Sequence, residues 1–69
     1  MRKVVIIPTY NEKENISAMI DKVFSLPEPF DLLVIDDGSP DGTASIVKRR
    51  QQDFPDRLHL LERSGKQGL

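Results

Sequence analysis

The chain has 69 residues, ten Lys and Arg against eleven Asp and Glu, a formal net charge of -1, one histidine and no cysteine. Disulfide scaffolds, thiolate metal sites and histidine clusters are excluded, and the charge balance argues against a broad basic face for nucleic acid. A chain of this size buries only about 60% of its unfolded surface, which bounds it to one small domain with a marginal core.

The apolar run Val4-Val5-Ile6-Ile7 is far short of the roughly 20 residues that span a bilayer. Behind Met1-Arg2-Lys3 it is also too short for the apolar segment of a signal peptide. There is no internal repeat and no low-complexity tract, and the hydrophobic fraction of 38% is that of a globular chain.

Residues 3–7 form a β-branched run that is apolar on both faces, the pattern of a strand covered on both sides in a parallel sheet. Pro8 is expected to end it and open a loop. Asn11 reads as a helix N-cap, with Glu14 three residues on completing a box-like pattern and Glu12 adding first-turn negative charge. Ile16, Met19, Ile20 and Val23 then recur at helical spacing and make one apolar stripe, which Pro27 and Pro29 close off.

Residues 31–35 read as the second strand. Ser39-Pro40-Asp41 reads as N-cap, first-turn proline and acid, opening a second helix to about residue 53 with Ala44, Ile46 and Val47 inward. Its run Lys48-Arg49-Arg50-Gln51-Gln52 reads as solvated surface. Pro55 ends that stretch, and residues 57–62 read as a third strand, leaving Ser64-Gly65-Lys66-Gln67-Gly68 as a polar end.

The pattern β-α-β-α-β with short connections makes a parallel sheet with right-handed crossovers, strand order 3-2-1. This is half of a three-layer, doubly wound α/β sheet. The loops after the three strands then share the carboxyl edge, where such sheets bind ligands. Loop residues 8–12 and 36–41 meet there, with residues 63–66 beside them. The first strand is left with an open edge that the other half of such a sheet would cover, and that when open invites pairing with another chain, a route to a homo-oligomer.

Asp36 and Asp37 stand where a buried strand surfaces. Being sequential, their side chains point to opposite faces, which argues against a paired general acid and base. Each has two readings: it fixes the turn through backbone N–H groups, or it accepts from the N–H or hydroxyl of a nucleoside. Tyr10 either lies against a base or staples the helix start, and Glu12 either binds a ligand hydroxyl or complements the helix dipole. Arg63 and Lys66 are the cations of this edge, suited to phosphate oxygens or to a solvated tail. No Walker sequence and no G-x-G-x-x-G follows the first strand, so acids and an aromatic ring would have to read any nucleotide.

Val5-Ile6-Ile7-Pro8-Thr9-Tyr10-Asn11-Glu12 followed by Val34-Ile35-Asp36-Asp37-Gly38-Ser39-Pro40-Asp41-Gly42-Thr43 resembles the family-2 glycosyltransferases of the GT-A fold. The Ser-Pro-Asp-Gly-Thr form and the ending Arg63-x-x-Lys66-x-Gly68-Leu69 are most similar to the dolichol-phosphate and polyprenol-phosphate mannosyltransferases. The resemblance implies an inverting transfer of mannose from GDP-mannose to a polyprenyl phosphate. It implies a peripheral enzyme at the cytoplasmic membrane face that uses Mg²⁺ or Mn²⁺. It also implies that Pro8, Tyr10, Glu12, Asp36 and Asp37 line the nucleoside pocket, with Arg63 and Lys66 toward the phosphates. The family's metal-binding D-x-D motif is not in this sequence. Residues 1–69 are therefore expected to be the N-terminal nucleotide-binding half of a GT-A domain, inactive by itself.

Two other classes fit the same sheet less well. A sugar nucleotidyltransferase carries a glycine-rich basic loop after its first strand, which Pro8-Thr9-Tyr10-Asn11-Glu12 is not. A receiver-like signalling module places its acid pair after the first strand rather than the second.

Overall fold

Alternating strands and helices run through residues 3–63, the part of the chain described by the computed structural model. They are β1 (Lys3–Thr9), α1 (Ile16–Phe24), β2 (Phe30–Asp36), α2 (Thr43–Arg50) and β3 (Leu58–Glu62). The strands form one parallel sheet in the order β1-β2-β3, which is the expected 3-2-1 seen from the other edge. Val5 pairs with Leu32 and Ile7 with Val34, while Leu32 pairs with Leu58 and Val34 with Leu60.

Strand alternation sends Leu32, Val34 and Asp36 to one face, and that face is the buried one. Helices α1 and α2 touch each other and both rest on β2, so they share that face. This is the outcome of two right-handed crossovers between sequential strands. The core is Ile16, Ile20, Leu32, Val34, Val47 and Leu58, each no more than 2% exposed. Burying one such aliphatic side chain stabilises by about 1.5–3 kcal/mol.

The opposite face has no helix layer among the described residues. β1 is an edge strand there, with Val4 and Ile6 more than half exposed, although its sequence reads as a strand covered on both faces. Pro8 does not end β1, which runs on to Thr9. Thr9 turns its carbonyl toward β2, where it accepts the Asp37 N–H. The alternate positions Val4, Ile6 and Pro8 therefore turn their backbone groups to the open edge, where a missing N–H costs no ladder bond.

Both helix starts differ from expectation. Helix α1 begins at Ile16 with Asn15 at its N-cap, because Asn11 adopts a positive φ of 56° and its N–H is drawn to Ser39. A turn on the Glu12 carbonyl, which accepts the N–H groups of Asn15 and Ile16, leads into the helix. Helix α2 begins at Thr43 rather than Pro40, with Gly42 at φ 94° in the N-cap position. The capping acceptor is the Asp41 carboxylate, which takes the Thr43 N–H at 3.0 Å, while Ser39 is engaged elsewhere.

Arg50 is not solvated surface. Its guanidinium reaches Ser17 and Asp21 on α1 and Asp53 after α2, and ties the two helices together. Below it, the rings of Phe24 and Phe54 stack with centroids 4.1 Å apart, and Arg57 lies over Phe24.

Candidate functional site

The carboxyl edge of the sheet gathers the residues that follow β1, β2 and β3. The ladder continues one step past the strands. The Asp37 N–H donates to the Thr9 carbonyl at 3.1 Å, and the Arg63 N–H donates to the Asp36 carbonyl at 2.7 Å. Since Thr9, Asp36 and Glu62 share one register row, Tyr10, Asp37 and Arg63 make up the next. Alternation turns this row away from the helix-covered face.

The two adjacent acids have opposite environments. Asp36 is 2% exposed. Its Oδ1 accepts the hydroxyls of Thr9 at 2.8 Å and Ser39 at 2.6 Å, and its Oδ2 accepts the Ser39 N–H at 3.0 Å. Burial pushes its carboxyl up, but the Ser39 hydroxyl, the Ser39 and Gly38 N–H groups and the Thr9 hydroxyl together hold it below the ordinary value. Hydrogen bonds to the charged form win over desolvation.

Asp37 is half-buried and faces the other way. The Nε and a terminal nitrogen of Arg63 both reach its Oδ1, at 2.8 and 2.7 Å. Its Oδ2 has no protein partner among the described residues. Beside it Tyr10 is 57% exposed, Pro8 is exposed and Glu12 is half-buried. The structure therefore brings Pro8, Tyr10, Glu12, Asp36, Asp37 and Arg63 to one edge, while Lys66 lies outside the described residues.

A second set of side chains was not anticipated as part of this site. The N–H groups of Asn11, Glu12 and Lys13 donate in turn to Ser39 Oγ, Thr43 Oγ1 and Asp41 Oδ2, at 2.9, 3.0 and 3.0 Å. Thr43 is fully buried, and its hydroxyl donates to Asp41 Oδ1 at 2.5 Å. That hydroxyl, opposed by burial and helped by the Lys13 and Thr43 N–H groups, holds the Asp41 carboxyl below its ordinary value. The only sequence signal was the polar Ser-Pro-Asp-Gly-Thr turn, which reads equally well as a local cap.

No group of three or more His, Cys, Asp or Glu residues able to hold a metal ion exists among the described residues. Asp36 spends both oxygens on Thr9 and Ser39, and Asp37 gives Oδ1 to Arg63. An apolar groove of about 290 Å³, lined by Ile7, Met19, Lys22, Val23 and Leu26, runs beside β1 and α1 and includes none of the edge acids.

The sequence of the chain carries close likenesses. A family model described as glycosyl transferase family 2 matches residues 4–69. The chain is 44% identical over 68 residues to the polyprenol monophosphomannose synthase of Mycolicibacterium smegmatis, a match spanning 99% of the chain and 26% of that protein. It is 41% identical over 69 residues to the undecaprenyl-phosphate mannosyltransferase of Micrococcus luteus, spanning all of the chain and 28% of that protein. A solved mannosyltransferase from Pyrobaculum calidifontis, in complex with GDP-Man and Mn²⁺, superposes with a TM-score of 0.82 at 35% identity. That superposition covers 99% of the chain and 21% of the solved one, and its GT-A arrangement is the arrangement described above. The chain thus spans about a quarter of the length of the curated relatives it matches.

Proposed function

From the premise that this chain belongs to glycosyl transferase family 2, we propose that it is the nucleoside-recognition part of an inverting mannosyltransferase. The donor is GDP-mannose and the acceptor a polyprenyl phosphate, a reading supported by the names of its relatives and the ligand of its structural neighbour. Residues 1–69 form the N-terminal nucleotide-binding half of the GT-A domain.

The observation that carries this reading is the row Tyr10–Asp37–Arg63 at the carboxyl edge. Arg63 holds Asp37 by Oδ1, which leaves Oδ2 to accept a ring N–H of the base. The exposed Tyr10 ring lies against the base, a contact worth about 1–3 kcal/mol where bases stack on aromatic rings. Glu12 accepts a ribose hydroxyl, Pro8 shapes the floor, and Asp36 builds the wall through the turn it fixes. Arg63 has donors beyond those used on Asp37 with which to meet the phosphates, a role it would share with Lys66.

A divalent metal, Mg²⁺ or Mn²⁺, supplies charge stabilisation to the leaving diphosphate in such a transfer. The described residues do not fit it, because no three of their His, Asp or Glu side chains converge to hold a metal ion, so its ligands lie elsewhere in the enzyme. Attack by the acceptor phosphate oxygen on the anomeric carbon of mannose, as the bond from that carbon to the diphosphate breaks and GDP leaves, inverts the configuration. The 69-residue chain binds nucleotide without catalysing transfer, and the full enzyme works as a peripheral protein at the cytoplasmic membrane face.

The open edge of β1 supports self-association of this chain. Val4 and Ile6 present outward backbone groups and exposed side chains. A two-fold partner β1 pairs antiparallel through Val4 and Ile6, with Pro8 outside the paired segment. Mass measured over a concentration series tests this, and a strict monomer at the highest concentration contradicts it.

The nucleotide reading is tested by titrating GDP, UDP and GMP while following the amide resonances of Tyr10, Glu12 and Asp37. GDP should perturb them most, and silence with all three nucleotides overturns it.

A further inference from the structure

The polar turn after β2 does more than start a helix. Three consecutive N–H groups of the other loop, those of Asn11, Glu12 and Lys13, are captured by Ser39, Thr43 and Asp41, residues about 30 positions away in sequence. Each capturing hydroxyl has its own hydrogen fixed by a carboxylate: Ser39 gives its hydrogen to Asp36, and Thr43 gives its hydrogen to Asp41. A hydroxyl is both donor and acceptor, so spending its hydrogen on a carboxylate leaves only lone pairs to face the amide. The two carboxylates therefore decide which way the hydroxyls accept.

The captured segment is costly to hold. Asn11 sits at φ 56°, a left-handed conformation that costs a non-glycine residue free energy unless its surroundings enforce it. Tyr10 lies between two anchored positions, Thr9 on Asp36 and Asn11 on Ser39. Glu12 is pinned through its N–H to the fully buried Thr43.

We propose that the Thr43–Asp41 pair is a positioning device for the nucleoside site, setting the backbone from which Glu12 and Tyr10 reach the ligand. Neither Thr43 nor Asp41 touches the nucleotide. This rests on the nucleoside reading above, and deepens it by separating the residues that contact the ligand from those that aim them.

The test uses the 69-residue chain and GDP, with amide shifts as the readout of binding. Thr43→Val keeps the volume and removes the hydroxyl. It is expected to weaken GDP binding about fivefold or more, with the loss of one hydrogen bond's worth of positioning. Thr43→Ser restores the hydroxyl and should bind within about twofold of the parent. Asp41→Ala, at a partly exposed position, should weaken binding in the same direction, and it carries the test if Thr43→Val does not fold. Variants whose β2 amide shifts match the parent, but which bind GDP with parental affinity, overturn the positioning role. Weakened binding that Thr43→Ser fails to rescue also overturns it, since bulk and not the hydroxyl would then matter. A parent chain that does not respond to GDP overturns the nucleoside reading instead, and the inference falls with it.

Discussion

Thr9 and Asp36, one on β1 and one on β2, are joined by a buried hydrogen bond of 2.8 Å from Oγ1 to Oδ1. They stand in register at the last step of the strand pairing, so this bond closes the sheet just where the two loops depart. Asp36 then carries two Ser39 contacts as well. Replacing it by Ala strands the Thr9 hydroxyl in a buried place and should cost about 2–3 kcal/mol. Urea unfolding of Asp36→Ala against the parent measures this, and an unchanged midpoint would mean the carboxylate is not a structural element.

Acid should loosen this edge before it unfolds the core. The carboxyls of Asp36 and Asp41 both lie below their ordinary values in the folded chain. A depressed folded value gives stability that is fully present above the unfolded pKa of about 3.9 and is lost as pH falls through the folded one. Stability should therefore be level from pH 7 down to about 4.5 and decline below about pH 4. Asp41→Asn should reduce that decline. A parent whose urea midpoint falls already between pH 7 and 5 would contradict the assignment.

Ile20 is fully buried where α1 meets the sheet. Ile20→Ala should destabilise by about 2–5 kcal/mol, enough to unfold much of a domain this small. Circular dichroism melts would register a lower midpoint or no transition. A loss under about 1 kcal/mol would mean that the helix-covered face is not the core.

Gly42 has φ 94° and open space where a Cβ would point. Gly42→Ala therefore meets no steric obstacle and pays only for the left-handed backbone, about 1–2 kcal/mol. A thermal melt close to the parent's would show that the turn can adopt another conformation.

Much of this was legible in the sequence, and the residues that were not share a cause. The three strands, two helices and parallel order follow from β-branched runs, one stripe of Ile16, Met19, Ile20 and Val23, and short connections. The opposite facing of Asp36 and Asp37 follows from strand periodicity alone. The helix starts were misplaced because Asn11 and Ser39 use their polar groups on each other across 28 positions. Arg50 escaped notice for a similar reason, since its partners Ser17 and Asp21 sit on another helix. Local patterns report what a residue can do for its neighbours in sequence, and these residues act on neighbours in space.

Arg63 also has a partner in space that its local sequence does not announce, since its guanidinium pairs with Asp37. Arg63→Ala frees Oδ1 and lets the carboxylate rotate. GDP affinity should fall about threefold to tenfold, as expected on losing an orienting charge-assisted bond at an exposed site. Tighter binding in Arg63→Ala would instead make the ion pair a competitor of the ligand.

The most direct measurement of the central claim is a GDP titration of the chain followed at every assigned amide, with Asp37→Ala as the companion variant. The account predicts saturable shifts concentrated at Tyr10, Glu12 and Asp37, and their loss in Asp37→Ala while the β1 and β2 resonances stay in place. No saturable shift up to millimolar GDP, or equal shifts in Asp37→Ala, would contradict a nucleoside site at this edge.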